Sequence, residues 1–272
     1  MTVRGHAGNE SGMTSTGSLR SNGVFLRHVR LEPGLETDRY PFTLPVVVHL
    51  AASGGLGLET PVTFFVGENG TGKSTLVEAI AVAAGFNPEG GSRSFRFATR
   101  ATESSLGDHL ILRWERKPRT GFFLRAESYY NVASEIERLD QDPYSPPLLP
   151  AYGGTSPHER SHGESFLDLV THRFAPGGLY LLDEPEAALS VRGCMALLAR
   201  LADLAAQGSQ ILVATHSPIL LALPGARIIE IDEDGTAEAV DYDQALPVRL
   251  TRDFLTAPEK YLRHLLDEDE PS

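Results

Sequence analysis

The chain has 272 residues, 41% of them apolar, enough for a sizeable core in one α/β domain with a small inserted lobe. Its 24 Lys and Arg against 36 Asp and Glu leave a net charge of -12, which argues against broad electrostatic adhesion to nucleic acid or to an anionic membrane. A single cysteine, Cys194, excludes an internal disulfide and a cysteine-based metal site; with no apolar run that could span a bilayer and no signal-peptide pattern, the expected location is cytoplasmic, without membrane insertion.

Residues 1–22 interleave glycine with Ser, Thr and Asn, carry no apolar run, and are expected to form a disordered tail before a domain over 23–266. Strand character follows at Val24 to Leu31, at Val46 to Leu50 and at Val62 to Val66, where β-branched and aromatic residues cluster. The third of these runs into Gly67-Glu-Asn-Gly-Thr-Gly-Lys-Ser74, which fills every fixed position of the phosphate-binding pattern G-x-x-x-x-G-K-[ST], and Lys73 to Ala84 beyond it is rich in helix formers. Strand, glycine turn and helix suit the chemistry. The glycines let successive backbone N-H groups converge on the β- and γ-phosphates at the positive end of a helix dipole. Lys73 would neutralise the outer phosphates and the Ser74 hydroxyl would ligate Mg2+.

Two more strands are expected at His109 to Trp114 and Gly121 to Arg125. Around them lies a locally basic stretch, Arg93, Arg96, Arg100, Arg113, Arg116, Lys117, Arg119 and Arg125 against Glu103, Asp108 and Glu115. It reads as the solvated face of a hairpin turning at Pro118-Arg-Thr-Gly121, or as a docking surface for nucleic acid or an acidic partner. A helical lobe is expected at about 129–173, with a proline-rich linker from Pro143 to Pro150 inside it. There Ser161-His-Gly-Glu164 precedes the apolar helix Phe166 to Val170. It offers a second anion site at a helix N-terminus, or simply a capping box.

Gly178-Leu-Tyr-Leu-Leu-Asp-Glu-Pro185 is an apolar run closed by two carboxylates, the form of a buried parallel strand that delivers acids to a nucleotide. Downstream of a P-loop, Asp183 is expected to hold Mg2+ and Glu184 to act as general base; alternatively the segment is an ordinary strand-to-helix turn with Glu184 and Glu186 favouring the helix N-terminus. The next strand, Gln210 to Thr215, ends in His216, a residue that can reach the γ-phosphate and the attacking water or serve structure alone. An amphipathic helix is expected at Arg252 to Leu266, before an acidic tail at 267–272.

The order Gly67 to Ser74, Ser161 to Glu164, Leu179 to Glu184, Ala188-Leu-Ser190 and His216 resembles that of the ABC-type ATPases: Walker A, signature, Walker B, D-loop and H-loop. More closely, Asp38-Arg-Tyr-Pro-Phe42, Phe64-Phe-Val-Gly-Glu-Asn69, Gly121-Phe-Phe-Leu-Arg-Ala-Glu-Ser128 and Tyr180-Leu-Leu-Asp-Glu-Pro-Glu186 look like a group of small stand-alone bacterial ATPases carrying the AAA label. The resemblance implies an α/β P-loop NTPase fold, with an ABC-like mixed sheet, an antiparallel β portion and the helical lobe. It implies ATP held by Gly67, Glu68, Asn69, Gly70, Thr71, Gly72, Lys73, Ser74 and Thr75, Mg2+ held by Ser74 and Asp183, and hydrolysis by Glu184 and His216. Ser161 and Gly163 would reach the nucleotide of the opposite subunit in a head-to-tail dimer formed on ATP.

Two departures from the transporter pattern stand out. His162 and Glu164 occupy the positions of Gly and Gln in Leu-Ser-Gly-Gly-Gln, and Glu127 occupies the place of the Q-loop glutamine, where it can ligate Mg2+. Ser74 and Ser161 enclose too short a stretch for the long coiled coil of chromosome-organising relatives, and little chain follows His216 for a fused nuclease. The expected role is a nucleotide switch acting on an unidentified protein partner. Its alternatives are a nucleotide-binding subunit for a separately encoded permease and, less favoured, a nucleic-acid-associated ATPase.

Overall fold

The computed structural model describes residues 23–35, 38–93, 106–140 and 162–266, with the side chains of Tyr130, Leu139, His162 and His264 left aside. The tails expected at 1–22 and 267–272, the proline-rich linker and Ser161 lie outside the described residues. In chain order the elements are β1 (Leu26–Leu31), α1 (Pro45–Ala52), β2 (Leu56–Gly57), β3 (Val62–Val66), α2 (Lys73–Ala83), β4 (Leu110–Trp114), β5 (Thr120–Arg125), α3 (Tyr129–Asp140), α4 (His162–Arg173), β6 (Gly178–Asp183), α5 (Val191–Ala206), β7 (Gln210–Ala214), α6 (Pro218–Leu221), β8 (Arg227–Ile231), β9 (Ala237–Val240), α7 (Leu246–Thr256) and α8 (Pro258–Leu266).

A six-stranded sheet in the order β5-β6-β7-β3-β8-β9 forms the core, parallel except for the edge pair β8–β9. A parallel sheet must be covered on both faces, and its strands obey that: β3, β6 and β7 are buried at every position. Alternate residues serve opposite faces. Phe64, Phe122, Tyr180 and Val213 pack on one side with α3, α4 and α5. Phe65, Phe123, Leu181 and Leu212 pack on the other with α2 and with the antiparallel sheet β2-β1-β4.

A buried side chain stitches the two sheets where β7 begins. Gln210 opens β7 fully buried; its Oε1 accepts from the Phe25 and Leu26 N-H groups at 2.9 and 2.7 Å, and its Nε2 donates to the Leu26 carbonyl at 2.8 Å. An amide with both ends used is one of the few polar side chains that can sit in such a core without an unmet bond.

Three expectations are corrected. Val46 to Leu50 is helical rather than extended: Pro45 sits in the first turn of α1, and Val46, Val47 and Leu50 make one buried face, so packing overrides the strand preference of three consecutive valines. Pro118 to Gly121 does not turn a hairpin, because β4 pairs with β1 in the antiparallel sheet while β5 pairs with β6 in the parallel one. The single helix expected at Arg252 to Leu266 is two, broken at Ala257 before Pro258, which has no N-H to donate to a continuing helix and disfavours a helical residue before it. The edge hairpin β8–β9, with Gly235 at φ +82° in its turn, was not anticipated from the sequence.

Candidate nucleotide site

The site lies at the carboxyl ends of β3, β7 and β6, three neighbours in the parallel sheet. From β3 the chain enters Gly67 at φ +146°, where a Cβ would stand 2.2 Å from the Ile231 carbonyl oxygen, so only glycine lets the loop leave the strand this close to β8. Gly72, left-handed at φ +92°, is the N-cap of α2, and a Cβ there would meet Val46 of α1 at 2.7 Å. The loop between them closes on itself: Thr71 Oγ1 and Lys73 Nζ both donate to the Glu68 carbonyl, at 3.0 and 2.8 Å. Lys73 is buried, and burial pushes its ammonium below the ordinary value against the opposing pull of Glu184 and Asp183. Glu68, Asn69 and Gly70 are exposed on the loop, and Ser74 and Thr75 are half-buried in the first turn of α2.

Asp183 ends β6 with its side chain 6% exposed. Burial pushes its carboxyl above the usual range, opposed by a hydrogen bond from Ser74 and the charge of Arg125. Its Oδ1 is buried with no hydrogen-bond partner among the described residues. Ser74, Asp183, Glu184, Arg125, Ala126, Ala187 and Glu127 line one cleft of about 370 Å³. Glu127 stands at its rim, 89% exposed and 3.7 Å from an Arg125 nitrogen.

Glu184 is the only non-glycine residue with positive φ among the described residues, at φ 48° and ψ 50°. Its N-H donates to the Ala214 carbonyl of β7 at 2.9 Å, and the left-handed turn throws the side chain out of the strand into the cleft. Its Oε1 lies 3.7 Å from Nε2 of His216, the nitrogen that otherwise has no hydrogen-bond partner among the described residues. The His216 N-H donates to Glu186 Oε1, which fixes the histidine against the turn after β6.

The structure thus brings together the P-loop residues, Ser74, Asp183, Glu184, His216 and, at the rim, Glu127. It does not bring Gly163 to the same cleft. Gly163 opens α4 beside Glu164 and lines a second hollow of about 510 Å³ with Leu167, Ala188, Ser190 and Arg192. Two residues at the site escaped the sequence reading. Arg125 was counted only as part of a basic stretch, although its place at the end of an apolar strand two residues before Glu127 was the available signal. Glu186 was seen only as an acid favouring a helix N-terminus, whereas its carboxylate takes the His216 N-H.

Residues 53–132 match a family model described as "AAA domain", and residues 153–222 match one described as "AAA domain, putative AbiEii toxin, Type IV TA system". A "Putative ABC transporter ATP-binding protein" of Streptomyces avermitilis is 32% identical over 79% of this chain and 39% of its own length. A "Pyoverdine export ATP-binding/permease protein PvdT" of Pseudomonas entomophila is 30% identical over 61% of this chain and 27% of its own length. The chain therefore spans well under half the length of these relatives. Among solved structures, an inward-facing putative metal-chelate type ABC transporter covers 82% of this chain and 84% of its own at 14% identity and a TM-score of 0.45. The SMC head domain from Thermotoga maritima covers 79% of this chain and 98% of its own at 14% identity and a TM-score of 0.39.

With its motif order, its parallel core, the two AAA family-model matches and the ATP-binding relatives, the chain is a P-loop NTPase of the ABC/AAA type. That class binds nucleotides, typically with Mg2+, and hydrolyses them. No helix among the described residues is long and apolar enough to cross a membrane.

Proposed function

We propose that the chain, through one ATPase domain over 23–266, binds ATP with Mg2+, hydrolyses it, and works in the cytoplasm as a nucleotide-switched dimer on a protein partner. The observation that carries this reading is the convergence of Lys73, Ser74, Asp183, Glu184 and His216 at the ends of three adjacent parallel strands. Gly67 to Thr75 cradle the phosphates, and Lys73 exchanges its bond to the Glu68 carbonyl for the outer phosphates. Ser74 and Asp183 are the groups to hold Mg2+, since an orphaned buried carboxylate oxygen beside a hydroxyl is the hard oxygen set this ion prefers; Glu127 at the rim is a third donor. When bound, the ion neutralises charge on the phosphates. Glu184 takes the proton of the attacking water, and His216, beside it, orients that water and the γ-phosphate.

Support for a dimer comes from the separation of the two hollows. A single chain keeps Gly163 in a different cavity from Ser74 and Asp183, and a head-to-tail pair lays Ser161 and Gly163 of one subunit over the nucleotide of the other. Loss of the γ-phosphate then releases the pair.

Lys73→Ala tests the reading. Removing a charge-assisted contact to phosphate should weaken ATP binding by about 10- to 100-fold, measured by titration calorimetry, and unchanged affinity would sink the P-loop assignment. Ser161→Arg tests the dimer: ATP binding should persist while hydrolysis falls, and mixing with Lys73→Ala should restore part of it through one intact composite site. The names of the relatives favour a second reading, a nucleotide-binding subunit for a separately encoded permease. A permease that co-purifies with the chain and accelerates its turnover would establish that role.

A further inference from the structure

Next to the cleft stands a cluster of charges that phosphate binding does not require. Arg125 ends β5 directly beside Asp183 in the sheet register, with its side chain 17% exposed. Its Nη1 donates to Glu78 Oε2 of α2 at 2.6 Å, and its Nε lies 3.3 Å from Asp183 Oδ2, an ion pair whose geometry falls short of a hydrogen bond. Glu78 is 12% exposed. Burial pushes its carboxyl above the usual range against the pull of Arg125.

A pair of charges this deep is a poor stabiliser, because desolvation consumes most of what attraction returns. Its geometry, in contrast, is specific. The guanidinium fork spans three elements, touching the helix that carries Lys73 and Ser74, the strand that delivers Asp183, and its own strand end before Glu127. It engages one oxygen of Asp183 and leaves the other, Oδ1, buried and unpartnered among the described residues, in the cleft shared with Ser74.

We propose that Arg125 is a positioning residue which, braced by Glu78, pins Oδ2 of Asp183 and so turns Oδ1 to receive the Mg2+ of the bound nucleotide; this rests on the reading of Asp183 as a metal ligand. The opposite role, a cation that merely competes with the metal, makes the opposite prediction. Losing the pin loosens Mg2+, whereas losing a competing positive charge tightens it.

The test uses the full chain and reads binding, not turnover. The affinity for a fluorescent ATP analogue is measured in EDTA and in Mg2+, and the tightening between the two is the quantity compared. In Glu78→Gln/Arg125→Met the buried cluster loses one charge of each sign, so net charge is unchanged. Affinity in EDTA should stay within about twofold, while the Mg2+-dependent tightening falls by about tenfold or more, the usual size for losing a partner behind a metal ligand. Arg125→Lys keeps the charge and the bulk but not the fork; it should fall between parent and double variant, and it decides the question if the double variant fails to fold. Asp183→Asn, run in parallel, should abolish the tightening. If Asp183→Asn retains it, Asp183 is not a metal ligand and both readings fail. If Asp183→Asn loses it while the Arg125 variants keep or increase it, the positioning role alone is overturned.

Discussion

In the parallel sheet, Phe64, Tyr180 and Val213 are sealed on one face and Phe65, Leu181 and Leu212 on the other, so the three central strands β6, β7 and β3 carry charge only at and just beyond their carboxyl ends: Lys73, Asp183, Glu184 and His216. In the antiparallel sheet, Leu26, Val29 and Leu31 are buried while Arg30 and, on β4, Arg113 stand exposed. Full burial forces polar groups to gather at one edge, where they meet; burial on one face spreads them across a surface, where water keeps them apart. A site is expected from the first arrangement and a solvated face from the second, and variants of each sheet can break that contrast.

The largest effect belongs at the gathered edge. Glu184→Gln keeps the left-handed turn and the bulk of the side chain but cannot accept a proton, so turnover should fall by roughly 10^2- to 10^4-fold with ATP binding retained. Steady-state phosphate release beside equilibrium ATP binding reads both. Turnover at the parent rate would pass the role of base to His216 or Glu127, and loss of binding would make Glu184 structural.

Next in size is the stitch between the sheets. Gln210→Leu fills the same volume but leaves the Phe25 and Leu26 N-H groups and the Leu26 carbonyl without their partner in a dry core. At about 1–3 kcal/mol for each unmet group, the loss should be at least about 3 kcal/mol by urea denaturation. A change below about 1 kcal/mol would show that the antiparallel sheet is held by apolar packing alone. The prediction sharpens the contrast, because catalysis in the surviving folded fraction should keep its parent rate per molecule.

The same contrast explains what the sequence made legible. The P-loop could be read because its chemistry fixes residue types at fixed spacing, and β3, β6 and β7 because strands buried on both faces read as apolar runs, interrupted in β3 by Thr63 alone, that end in polar groups or glycine. Helix α1 was misread since three valines in a row speak for a strand, and only its packing against Gly72 and Gly235 reveals the helix. The ties of Gln210 and of Arg125 join residues far apart in the chain, and local pattern carries no trace of such distant partners. Ser161 rests on motif order alone, as it lies outside the described residues.

The smallest effect is expected on the solvated face. Arg113 and Arg119 are exposed, while the Arg116 guanidinium lies 4.5 Å from the Phe25 ring centroid and the Lys117 ammonium 4.0 Å from that of Trp114. Arg113→Gln and Arg119→Gln should each change stability by less than about 0.5 kcal/mol, and Arg116→Gln by about 0.5–1 kcal/mol, the worth of an exposed cation–π contact. The stacked basic residues are partly spent on holding the sheet's own aromatic rings, which leaves few charges for a partner. At a net charge of -12, the whole chain also repels a polyanion. The triple Arg113, Arg116 and Arg119 neutralisation should therefore leave DNA and RNA binding as weak as in the parent, measured with ATP at two salt concentrations. Micromolar binding by the parent that weakens with salt and disappears in the triple variant would turn this face into a second site and overturn the division of labour between the two sheets.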